Sequence, residues 1–215
     1  MASGGQASRS NESDAEVFTN LRILADKNLR YRNSLKFGLK ENLISAGFYQ
    51  VVGANFVMRY INNNTAEFMN KFVIIEDTTR FSEAQKDFRV TDVRTLDANG
   101  KNIYYEFKSY RNPPSGNFCN QWIRDLGLAQ NASELKWIFD GRRLDSHDMT
   151  ALNTAQLNEL ITTKSIDKFN DPQKLFPTTK IRWFPSVTGS ITSVDITSLF
   201  NTNFSTIFSI TNEIR

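Results

Sequence analysis

From Asp14 onward, Val17, Phe18, Leu21, Leu24, Ala25 and Leu29 recur at helical spacing, which predicts an amphipathic helix that Asp14 can cap. Leu35, Leu39, Leu43 and Ala46 repeat that period and stop at Gly47, a residue suited to a helix end. The stretch from Phe48 to Ile61 is apolar without a clean period and leans towards helix, and Asn62-Asn63-Asn64 breaks it. The pattern then changes. Phe72-Val73-Ile74-Ile75 is a β-branched run ahead of the turn-prone Asp77-Thr78-Thr79, and it predicts a strand from Lys71 to Glu76. Phe88 to Leu96 alternates, Asp97-Ala98-Asn99-Gly100 is a turn, and Asn102 to Tyr110 returns as the second arm of a hairpin. Asn112-Pro113-Pro114-Ser115-Gly116 ends that arm and leads into a helix carrying Phe118, Trp122, Ile123, Leu126 and Ala129. Leu135 to Asp140 reads as a further strand. A helix with Met149, Leu152, Leu157, Leu160 and Ile161 follows, with Asp145 or Ser146 as its cap. Near the end, Ile196, Leu199, Phe200, Phe204, Ile207 and Phe208 keep amphipathic-helix spacing despite weak helix formers.

The order of helices, three strands, helix, strand and helix predicts an α/β domain, a mixed central sheet of about four strands flanked by helices. The expected boundaries are a small, polar leader over residues 1–13, a domain over 14–177, and a C-terminal extension over 178–215 packed on the same domain. The leader has no apolar stretch that could serve as a signal peptide, and no run approaches the ~20 apolar residues of a membrane span.

Composition narrows the chemistry. The 215 residues include one cysteine, Cys119, and one histidine, His147. Disulfide frameworks, zinc fingers, two-histidine acid/base pairs and multi-histidine metal sites are excluded. Cys119, on an amphipathic helix, reads as a small buried apolar residue, and His147, in a helix's opening turn, receives no role. Hydrolytic chemistry would rest on carboxylates, lysines, hydroxyls or a metal bound through oxygen. The 26 basic and 23 acidic residues leave a net charge of +3, compatible with a nucleic-acid partner.

The hairpin carries the most informative residues. Alternation puts Glu106 and Lys108 on one face and Tyr105 and Phe107 on the other. An ordinary register through the Asp97 to Gly100 turn brings Asp92 beside Glu106. Two carboxylates and a lysine at one spot suit phosphodiester hydrolysis: Asp92 and Glu106 offer hard oxygen ligands for Mg²⁺ or Mn²⁺, and Lys108 can orient water or stabilise growing negative charge. Arg142-Arg143, Lys36 and Lys40 are candidates for phosphate contact.

Asp92, then a turn, then Glu106-Phe107-Lys108 within Tyr104-Tyr105-Glu106-Phe107-Lys108-Ser109-Tyr110 resembles the PD-(D/E)xK, or restriction-endonuclease-like, nuclease superfamily, although Thr91 stands where the motif name has proline. The order of elements from about Leu35 to Asp140 is similar to that superfamily's core. With Phe118, Gln121, Trp122 and Asp125 after the motif, the chain resembles the nuclease domains of bacterial polymorphic toxins. The resemblance implies Gln121 as a partner of the active-site lysine or a phosphate. It also implies an acidic residue from a preceding helix, Glu41 first and Glu67 second. Further, it implies a metal-dependent endonuclease delivered into a target cell's cytoplasm, with DNA favoured over RNA, and an acidic immunity protein as partner. A ribonuclease (tRNA) toxin of the same fold, a restriction or repair endonuclease, and a non-catalytic interaction module stay open as alternatives.

Overall fold

In a computed structural model, residues 30–31, 48–82, 87–109, 117–144 and 148–211 are described. The helices expected over Asp14 to Leu29 and Leu35 to Ala46, with Lys36, Lys40 and Glu41, lie outside them. So does His147. Among the described residues no helix is long and apolar enough to cross a membrane.

The apolar stretch after Gly47 is a helix, α1 (Phe48–Asn63), and one further turn, α2 (Thr65–Phe68), precedes the sheet. The strands are β1 (Arg30–Tyr31), β2 (Phe72–Ser82), β3 (Asp87–Leu96), β4 (Asn102–Lys108), β5 (Leu135–Asp140) and β6 (Phe208–Thr211). They lie in that order, with β2–β3 and β3–β4 antiparallel and the other neighbours parallel. The architecture is thus α/β with a mixed, open sheet. The connections are α3 (Phe118–Leu128) between β4 and β5, then α4 (Met149–Leu160), α5 (Thr163–Asn170), α6 (Pro177–Trp183) and α7 (Ser193–Ile207) before β6.

The expected sheet of about four strands is corrected to six among the described residues. Phe208 continues the helical spacing of Phe204 and Ile207, but α7 ends at Ile207 and Phe208 starts a strand paired to Trp137. Periodicity alone cannot see that the open edge of β5 needs hydrogen-bond partners. β2 likewise runs through Asp77-Thr78-Thr79, expected as a turn, because each pairs with β3 (Thr91, Val90 and Arg89) and Arg94 Nε donates to Asp77 at 2.7 Å. Tertiary pairing overrides the local turn preference. β4 ends at Lys108, short of the expected Tyr110, and the cap of α4 is Asp148, whose carboxylate accepts the Thr150 N–H at 2.8 Å. The short helices α5 and α6 were not expected, although the i, i+4 spacing of Ser165 and Phe169 marks the buried face of α5.

The hairpin turn falls where expected. Asp97 Oδ1 accepts the N–H groups of Asn99 and Lys101 at 2.8 and 2.9 Å, and Gly100 has φ +82°, a conformation glycine adopts without a Cβ clash.

Both faces of the sheet are covered, as the unbroken run Trp137-Ile138-Phe139 in a parallel strand requires. On one face Tyr105, Phe107 and Ile138 pack with Phe56, Val57, Met58, Ile61 and Phe68 of α1 and α2. On the other, Leu135, Trp137 and Phe139 meet α3, α4 and α7 through Phe118, Trp122, Leu152 and Phe200, with Phe208 of β6 beside them. This second core runs continuously across residue 177, since Phe169, Trp183 and Phe200 belong to it together. Within it Phe118 meets Trp137 edge to face, with centroids 5.1 Å apart. Such pairs add roughly 0.5–1.5 kcal/mol beyond their burial.

Candidate active site

The β3–β4 ladder stops at Val93↔Tyr105. One residue further, Asp92 takes over from the backbone: its Oδ2 accepts the Phe107 N–H at 2.7 Å. The seam between the strands is held there by a side chain, and the polar residues of β4 gather at it. Pairing of Glu106 with Trp137 and of Lys108 with Phe139 sets both on the α3 side of the sheet. Glu106 and Lys108 are each only 5% exposed. The Lys108 ammonium donates to Glu106 Oε1 and, at 3.1 Å, to Gln121 Oε1 from α3, and it stands 4.8 Å from the centre of the Trp137 ring. Trp137, wedged in the aromatic core, is therefore the floor of the site.

Arg89 completes the cluster. Its NH2 lies 2.6 Å from Glu106 Oε2 and its Nε 2.6 Å from Asp125 Oδ1, while NH1 donates to the Val90 carbonyl at 2.6 Å. Asp125 Oδ2 also accepts the Trp137 Nε1–H at 2.9 Å. Strand alternation assigns Arg89 to the face opposite Asp92. The β4 ladder has ended before Arg89, however, and the long side chain reaches Glu106 and Asp125. Burial pulls the guanidinium pKa down, but Asp125 and Glu106 more than offset it, so Arg89 stays charged.

Of the residues expected at the site, Asp92, Glu106, Lys108 and Gln121 are brought together. Glu67 is not with them. It lies on the opposite face, where its carboxylate accepts from Tyr105 Oη at 2.9 Å and Tyr60 Oη at 3.3 Å and pairs with Lys136. Tyr105 has odd parity on β4, so a partner of its hydroxyl is on the far side from Glu106. Glu41 lies outside the described residues. Arg142 is held on the fully buried Asp140 through Nε at 2.9 Å and NH2 at 2.8 Å, and Ser109, just past β4, donates to the same carboxylate at 3.3 Å.

Comparisons with family models, with curated proteins and with solved structures return no match. The chemistry of the site therefore rests on its own geometry.

Among the described residues no group of three or more His, Cys, Asp or Glu side chains is arranged to hold a metal. Asp92 and Glu106 nevertheless have the character of a cation site. Glu106 Oε2 is buried without a hydrogen bond, its approach from Arg89 being close but not aligned. The Asp92 carboxyl is pushed up to about 7, first by burial and then by Glu106, against the pull of Lys108, the Phe107 N–H and Arg89. A divalent ion placed between Asp92 and Glu106 would offset the repulsion that raises the Asp92 pKa. Mg²⁺ keeps several waters and needs only one or two protein carboxylates.

This frustration has a measurable consequence in the metal-free protein. Asp92's folded pKa, about 7, exceeds its ordinary value of 3.8. The stability it contributes is thus complete below the lower value and lost as the pH rises through 7. In EDTA the melting temperature should fall between pH 5 and pH 8, and Asp92→Asn, which keeps an acceptor for Phe107, should flatten that fall. Mg²⁺ at pH 8 should raise the wild-type melting temperature more than that of the variant. An identical pH trend in both proteins would remove Asp92 from this role.

Proposed function

We propose that this chain is a metal-dependent nuclease of the PD-(D/E)xK type that hydrolyses phosphodiester bonds, with DNA favoured over RNA as substrate. The observation that carries the reading is the meeting of Asp92, Glu106, Lys108 and Gln121 at the seam where the β3–β4 ladder stops. In it Asp92 and Glu106 would hold Mg²⁺ or Mn²⁺. The bound ion would supply a water of lowered pKa and positive charge against the phosphate. The protein's own residues do the positioning. Trp137 and Gln121 fix the Lys108 ammonium, and its donors can meet a phosphate oxygen as negative charge grows there. Arg89 and Asp125 hold Glu106 in place from behind, and the packed floor keeps water from the buried side. No step needs a histidine.

A non-catalytic module is the competing reading, and one observation favours it: both oxygens of Glu106 are approached by cations of the chain itself. One experiment separates the two. The purified protein is incubated with plasmid DNA and with total RNA, in Mg²⁺ and in EDTA. Mg²⁺-dependent cleavage that EDTA abolishes supports the nuclease, and the polymer degraded names the substrate. Intact DNA and RNA under all conditions would favour the module.

The resemblance to polymorphic-toxin domains extends the reading. The chain would then be the toxic effector domain of a bacterial competition system, acting in the target-cell cytoplasm and neutralised in its producer by an acidic immunity protein. Growth arrest on expression in bacteria, absent in a Glu106→Ala variant, is the expected sign.

A further inference from the structure

Helix α3 presents two faces. Phe118, Trp122 and Leu126 enter the core, while Asn117, Asn120, Gln121 and Arg124, at spacings of three and four residues, share the other side. That polar side does not simply face solvent. With Ile123, and with Lys174 from the turn after α5, it lines a cleft of about 290 Å³. The lining is amides and two cations, with no carboxylate among its residues. Lys174 is exposed, and no carboxylate among the described residues forms an ion pair with it. Asn117, at the N-terminus of α3, does not use its side chain as a cap, so its amide remains available to a ligand. The helix end itself is taken, because Glu159 accepts the Cys119 N–H at 3.1 Å. Among the described residues, the cleft's unpaired charge therefore comes from Lys174.

The inner wall is what gives the cleft its meaning. Gln121 turns its carbonyl oxygen to Lys108, and a carboxamide's nitrogen still carries two N–H donors. A group in the cleft is thus separated from the reacting lysine by one side chain.

The geometry points to a subsite for the phosphodiester backbone: Lys174 neutralises a phosphate flanking the bond to be cut, and Asn117, Asn120 and Gln121 donate to its oxygens. Backbone contacts of this kind fix register without reading sequence. The inference rests on the proposed nuclease function but is tested apart from it, by binding in EDTA.

Fluorescence anisotropy of labelled DNA and RNA oligonucleotides, titrated with the full chain in about 0.1 M salt, is the measurement. Lys174→Glu should weaken binding about fivefold or more, Lys174→Arg should bind like the wild type, and Lys174→Gln should lower the slope of log affinity against log salt by about one. Lys164→Glu, an equal charge change on the exposed side of α5, is the control and should cost less than twofold. Equal losses for Lys174→Glu and Lys164→Glu would overturn the subsite, as would wild-type protein that binds neither oligonucleotide. If binding responds as expected but Mg²⁺ brings no cleavage, the subsite stands and the nuclease reading falls.

Discussion

Glu106→Gln should lower the rate of Mg²⁺-dependent nucleic-acid cleavage by about 10²-fold or more while the protein stays folded. The substitution preserves shape and an acceptor for Lys108 but, on the proposed nuclease reading, removes a charge that would hold the metal, and losses of that order follow removal of a group that stabilises developing charge. Folding should survive because the cluster can rebalance. Glu106 helps to raise the Asp92 pKa, so without its charge Asp92 ionises more readily and restores an anion to the cations Lys108 and Arg89. The remaining carboxylate does not replace the first as a ligand, because it keeps its place on the Phe107 N–H. Initial rates on supercoiled plasmid, read with the melting temperature of each protein, are the check. A Glu106→Gln enzyme within threefold of wild type at saturating Mg²⁺ would remove Glu106 from the reaction.

The central hairpin and the strand after it were legible for simple reasons. Alternation from Phe88 to Lys108 has period two, Asp97 to Gly100 carries its own turn chemistry, and Leu135 to Asp140 is too short and too β-branched or aromatic for a helix. The helix carrying Phe118 and Trp122 was equally plain, because one face is apolar and the other amide-rich. What escaped was set by contacts distant in sequence. β6 exists because β5 has an unpaired edge, and its Phe208 looks like the next turn of α7 until the partner strand is known. The extension of β2 past Asp77 depends on β3 in the same way.

The site was half legible. Glu106 and Lys108 follow from strand parity, and Asp92 from hairpin register, although it joins β4 through its carboxylate rather than through a backbone pair. Gln121 came from resemblance, and its bond to Lys108 now gives it a physical reason. Glu67 illustrates the opposite case: an acidic residue just ahead of the sheet is a plausible ligand by position alone, yet its bond to Tyr105 puts it on the wrong face. Arg89 was missed because alternation misassigns it. The signal available was weak: an arginine three residues before the candidate aspartate, facing an aspartate four residues after the candidate glutamine.

That missed arginine should matter more to stability than any other charged residue of the cluster. Arg89 is 7% exposed, and Asp125, which it clamps, is 2% exposed. Arg89→Met fills most of the volume but leaves Asp125 and Glu106 as buried carboxylates without their guanidinium. Breaking a buried pair from one side typically costs about 3–5 kcal/mol, a large part of a domain's stability of about 5–15 kcal/mol. For a chain of this size each kcal/mol is worth about 2–4 °C, so the melting temperature should drop by roughly 10 °C. The double variant Arg89→Met, Asp125→Asn should recover much of the loss, because the uncompensated charge is gone while an amide oxygen still accepts from Trp137 Nε1. Acid should act in the same direction: burial raises the Asp125 pKa, so lowering the pH protonates the abandoned Asp125 carboxylate, and the gap between Arg89→Met and wild type should narrow from pH 8 to pH 5. A single variant that melts within 2 °C of wild type at pH 8 would show that solvent, not Arg89, balances these charges, and the seam between β3 and β4 would then be wetter than its packing implies.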